Sequence, residues 1–177
     1  MDTWEHTLQK VTESVAAAII KVSQMNQLSR IKPSAYFLKD DKLTLFHPGV
    51  MAQLVERTED TAMQIHYSVK EFDPDYMVMV LPMLMHHEGK PESVMVLNLE
   101  SRDKQVFMYF GLQQLFDNLA MNKPEVVWNV MDTIDKKNAT TTVVLGPLLD
   151  IFGTGSILAL PPVVGLKSEI LPAAMIV

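Results

Sequence analysis

The sequence predicts an α+β fold: a mainly antiparallel sheet flanked by helices, with a long N-terminal amphipathic helix and an apolar, Gly/Pro-interrupted C-terminal tail. Three observations carry this expectation. Apolar residues recur every three or four positions from Trp4 to Met25. Three apolar runs, Tyr76 to Met85, Ser93 to Leu99 and Gln105 to Phe110, are joined by polar connections too short for parallel crossovers. From Ala139 to Val177 the only charged side chains are Asp150, Lys167 and Glu169.

The first helix is read from Trp4, Leu8, Val11, Val15, Ala18, Val22 and Met25, whose spacing places them along one seam. Glu5 and Glu13 near its start and Lys21 and Arg30 toward its end suit the helix dipole. Ile19 and Ile20 widen the stripe, as expected for a helix lying on its own sheet; the narrow seam alone would suit pairing with another chain.

After Pro33, Ala35 to Leu38 and Lys42 to Phe46 flank Asp40-Asp41 as a hairpin. Met51, Leu54, Val55, Ala62, Ile65, Val69 and Phe72 then predict a second amphipathic helix, ending at Asp73-Pro74-Asp75. Its carboxylates Glu56, Glu59 and Asp60 are assigned to the wet face. Tyr76 to Met85 is apolar at both parities, the pattern of a strand covered on both faces, while Pro82 points to an edge, a bulge or a change of direction. His86 to Glu92 turns the chain into Ser93 to Leu99, and Ser101 to Lys104 turns it again into Gln105 to Phe110, completing a three-stranded meander. Gly111 to Met121 suits a short helix. Lys123-Pro124-Glu125 is read as the start of another, containing Val127, Trp128, Val130, Met131 and Ile134. Thr140 to Leu145 is read as a β-branched strand.

The length, 177 residues, suits one α+β domain over 1–145, with 146–177 an apolar extension packed on the same domain or on a partner subunit. Glycines and prolines divide that extension too often for a membrane-spanning helix. The absence of cysteine excludes disulfides and thiolate chemistry and points to a cytoplasmic location. The opening segment carries Asp2 and Glu5 and has no basic region, so a secretory signal is not expected. A net charge of -6 with interspersed signs offers no broad positive field for nucleic acid; Lys39, Lys42, Lys136 and Lys137 are read as solvated surface. The thirteen methionines, four of them at Met77, Met79, Met83 and Met85, suit an irregular core better than a flexible groove.

The chemistry-bearing residues form no recognisable catalytic pattern. His86, His87 and Glu88 are the densest ligand set, with His47 and His66 elsewhere, but no HExxH run or helical His pair accompanies them. Glu100, Arg102, Asp103 and Lys104 are read as an exposed charged turn, and Asp117, Asp132 and Asp135 as helical surface. Gly153-Thr154-Gly155-Ser156 lacks both the phosphate-loop lysine and the nucleophile-elbow spacing. No catalytic, cofactor-binding or metal residue is therefore assigned, and no cofactor is expected. The favoured function is a non-catalytic protein-interaction or assembly protein, self-associating as a homodimer or binding an unidentified protein. The alternatives are a small-ligand or regulatory binding domain and an unrecognised enzyme.

Overall fold

The computed structural model describes residues 3–25, 31–54, 56–87, 89–135 and 167–170. Helix α1, Thr3–Gln24, has Glu5 in its first turn and Lys21 in its last, each favourable to the dipole. Its fully buried residues are Thr7, Val11, Ile19 and Ser23. The innermost face is thus rotated from the seam read in the sequence: Ala18 and Met25 are exposed, and Ile19 is covered. Ser23 tolerates burial because its hydroxyl donates to the Ile19 carbonyl at 2.8 Å, which leaves no unmet donor.

Strands β1, Ser34–Lys39, and β2, Lys42–Leu45, form the expected hairpin. Lys39 faces Lys42 in register, and the two connecting residues Asp40 and Asp41 have φ of 49° and 61°. Both positive angles define a type I′ turn, whose twist matches that of the strands. The predicted second helix is broken into α2, Pro48–Met51, and α3, Thr58–Phe72. Pro48 starts the single turn of α2, where its missing N–H costs nothing. Arg57 then leaves helical geometry at φ -133° before α3 begins. Asp73, left-handed at φ 52°, ends α3 immediately before Pro74, which cannot extend it.

The meander consists of β3, Tyr76–His87, β4, Lys90–Glu100, and β5, Lys104–Gly111. Its first connection is tighter than the sequence suggested. His86 and His87 remain in strand, His87 pairs with Lys90, and Gly89 takes φ 79° in the turn. The second turn is held by Ser101, whose hydroxyl accepts from the amides of Asp103 at 3.2 Å and Lys104 at 3.0 Å. Helix α4, Leu112–Ala120, follows directly.

The helix expected after Pro124 is instead β6, Asn129–Asp135. Val126 and Trp128 pack inward and Val127 is exposed, a period of two rather than 3.6. The free edge of β5 supplies antiparallel partners from Lys104↔Asp135 to Tyr109↔Asn129, with an irregularity between Phe107 and Met108. Pairing to that edge outweighs the weak helical spacing. Asp132 and Asp135 accordingly lie in a strand.

The strand order is β2-β1-β3-β4-β5-β6, antiparallel throughout. A segment of the C-terminal region, β7, Lys167–Ile170, pairs with β3 from Met83 to His86. Strand β1 pairs with β3 only from Tyr76 to Val80. Pro82 therefore sits in the interval between the two partners, where β3 has no ladder on that side among the described residues and a missing donor is tolerated. The expected strand Thr140 to Leu145 lies outside the described residues, as does Gly153 to Ser156.

Two apolar layers enclose the sheet. One combines Met51 of α2 and Ala62, Ile65 and Val69 of α3 with Met77, Met79 and Met83 of β3. Met77, Met79 and Met83 are core, their flexible side chains filling space between sheet and helices. The other joins Val11 and Ile19 of α1 and Leu112 and Leu115 of α4 to Val78, Val80, Met95, Leu97 and Leu99. Helices thus cover both faces of a mixed α+β fold.

Candidate functional site

The α1 side of the sheet is incompletely covered. Alternation along the hairpin sends Tyr36, Leu38, Leu43 and Leu45 to that side, since Tyr36 pairs with Leu45 and Leu38 with Leu43. Leu43 and Leu45 on the edge strand are 59% and 50% exposed. Between Leu43 and α1 lies an apolar cavity of about 530 Å³, which Leu45 does not line. Val11, Val15, Ile19 and Val22 form its helical wall, and Tyr36, Leu38, Val78 and Val80 form its floor. Leu43 closes the edge side and Ile31 one end.

The apolar stripe of α1 therefore serves two surfaces. Ile19 and Ser23 are buried, whereas Lys10, Ser14 and Ala18, one turn apart along the helix, are exposed and border the cavity. Its charged lining consists of Lys10, Lys32 and Asp41. Neither lysine forms an ion pair with a described residue. Ser14, Ser34 and Tyr36 add hydroxyls, of which Ser34 already donates to the Lys32 carbonyl at 3.0 Å. Such a volume, with apolar walls and few polar groups, has the proportions of a small-molecule site.

A second cavity, of about 650 Å³, lies where the β1–β2, α3–β3 and β4–β5 turns meet the start of α1. It is polar, with Asp40, Asp41, Asp75, Asp103, Arg102 and Lys104 among its walls. Much of this charge ties turns together. Arg102 pairs with the Asp73 carboxylate and donates to the Pro74 carbonyl at 3.3 Å, while the Asp40 amide donates to Asp75 Oδ2 at 3.2 Å.

Glu100, assigned in the sequence to an exposed charged turn, is completely buried. It is the last residue of β4, opposite Gln105 and Met77, on the α3 side of the sheet. Gln105 Nε2 donates to Glu100 Oε1 at 3.1 Å and to Asn98 Oδ1 at 3.0 Å. Asn98 Nδ2 and Gln105 Oε1 have no hydrogen-bond partner among the described residues. Of the other turn residues, Arg102 and Asp103 are exposed as expected and Lys104 is half-buried.

The remaining sequence candidates stay dispersed. His47 caps α2 beside the Phe46 ring, His66 belongs to α3, and His86 and His87 end β3. Asp60 is exposed and pairs with Arg57 at 2.7 Å; Asp117 is exposed and accepts from Gln113 at 3.0 Å. Among the described residues no three His, Asp or Glu side chains are grouped to hold a metal, and no helix is long and apolar enough to cross a membrane. The cavity beside α1 went unread in the sequence, although the alternation Lys42, Leu43, Thr44, Leu45 is the signal that an apolar edge faces one side.

No protein family, no curated protein and no solved structure shows a significant match to this chain.

Proposed function

We propose that this is a non-catalytic binding protein whose site is the groove between α1 and the β1–β3 part of the sheet, and that its ligand is a small apolar molecule. The carrying observation is the apolar cavity of about 530 Å³ between α1 and the residues of β1, β2 and β3 that face it. Apolar surface removed from water there contributes roughly 25 cal/mol per Å², which is enough for micromolar binding once a few hundred Å² are covered. A neutral probe that fluoresces in apolar surroundings, N-phenyl-1-naphthylamine, tests the reading. Saturable binding at one site per chain is expected, with loss in Ala18→Trp, which places an indole in the groove from an exposed helix position. Binding unchanged in a folded Ala18→Trp protein, or no binding to the parent, overturns it.

A second reading, self-association as a homodimer, is favoured by a different observation. Strand β2 is exposed along all four residues, is the edge of the sheet among the described residues, and carries Leu43 and Leu45. Antiparallel pairing of two such edges is self-complementary about a two-fold axis. Sedimentation velocity up to roughly 100 μM should then show a dimer that Leu45→Lys dissociates while leaving probe binding intact. A strictly monomeric parent protein contradicts that reading. The absence of cysteine supports a cytoplasmic setting, and the net charge of -6 argues against nucleic acid as partner.

A further inference from the structure

We infer that the ligand of the α1 groove is an aliphatic monocarboxylate, its chain lying on Val15, Val22, Leu38 and Val80 and its carboxylate held at the rim by Lys10 and Lys32. The inference rests on the groove being the binding site and adds the chemical class of its occupant.

Charge complementarity carries the argument. The chain as a whole has a formal charge of -6, yet the groove lining holds two lysines against one carboxylate, Asp41. The lining thus carries one net positive charge against the negative balance of the whole chain, which favours an anionic head over a cationic one. Neither ammonium is neutralised by an ion pair with a described residue, so both are available to a ligand. Lysine also suits the geometry. Its methylene stem lies along apolar surface while the charge stays at the water boundary, so Lys10 and Lys32 extend the apolar walls and cap them with positive charge. The volume, about 530 Å³, accommodates one flexible chain of moderate length. The hydroxyls of Ser14 and Tyr36 lie in the same lining and can donate to a carboxylate oxygen.

The experiment compares decanoate with decan-1-ol as competitors of bound N-phenyl-1-naphthylamine at pH 7.5 and low ionic strength. The two competitors share a chain and differ in head-group charge. Decanoate is expected to displace the probe at about fivefold lower concentration, the scale of one or two solvent-exposed charge contacts. Lys10→Gln/Lys32→Gln should remove that preference while retaining probe binding, and added salt should weaken it in the parent protein. Asp41→Asn should strengthen it. Equal displacement by acid and alcohol, or a preference that survives the double lysine substitution in a folded protein, overturns the carboxylate assignment and leaves the apolar groove standing. Failure of both competitors to displace the probe overturns the groove reading itself, and this inference with it.

Discussion

Gln105 donates one side-chain amide to two buried acceptors, Asn98 Oδ1 at 3.0 Å and Glu100 Oε1 at 3.1 Å, on the α3 side of a sheet whose core there includes Phe37, Met77, Met79, Leu81 and Val96. All three polar residues are completely buried. Removing the shared donor strips a hydrogen bond from each acceptor without returning either to water. Gln105→Met is therefore expected to cost about 2 to 4 kcal/mol in urea unfolding, because the buried Asn98 oxygen keeps its desolvation penalty and the buried Glu100 carboxylate loses one of its hydrogen bonds. Adding Asn98→Leu to that variant should cost less than the sum of the two single changes, since the second removes an acceptor the first has already orphaned. Strict additivity would show that the three side chains do not act as a unit.

The β1–β2 turn places two aspartates at positive φ, 49° at Asp40 and 61° at Asp41. Aspartate tolerates the left-handed region better than most residues, but glycine enters it with no Cβ penalty. Asp41→Gly should thus stabilise the protein by about 0.5 to 1 kcal/mol, after its gain in unfolded-state entropy is subtracted. Thermal and urea unfolding measure it. A destabilised variant would mean that the Asp41 side chain contributes more to the fold than its backbone conformation costs.

Trp128 lies edge-on to Phe110, ring centroids 5.0 Å apart, with its indole nitrogen buried and lacking a hydrogen-bond acceptor among the described residues. Trp128→Phe removes that donor and keeps most of the apolar contact, so its stability should fall within about 1 kcal/mol of the parent. Trp128→Ala forfeits the ring and should cost about 3 kcal/mol or more. Comparable losses in both variants would indicate that the indole nitrogen is satisfied in solution.

The mixed α+β class, the hairpin around Asp40-Asp41 and the meander were legible because each rests on local signals: two apolar strands about two turn residues, and apolar runs separated by Gly89 or by Ser101 to Lys104. The phase of β6 was not. Val127, Val130, Met131 and Ile134 match helical spacing, and only the free edge of β5 makes strand pairing the better solution. Burial of Glu100 was hidden for a related reason, since its neighbours Ser101 to Lys104 form a polar turn while its strand parity, shared with Asn98, points inward. The groove was illegible as a site because it is a vacancy. The apolar stripe of α1 and the leucines of β2 are both readable, but which strands α1 leaves uncovered is set by how the helix lies on the sheet.

Methyl-resolved NMR of the valine, leucine and isoleucine side chains during titration with decanoate tests the central claim most directly, because it reports where the ligand sits as well as whether it binds. Saturable shifts are predicted for Val15, Val22, Ile31, Leu43 and Val80, which line the groove, while Val94 and Val96 under the opposite layer stay still. Absence of saturable shifts at millimolar decanoate, or shifts centred on Val94 and Val96, would contradict a binding site beside α1.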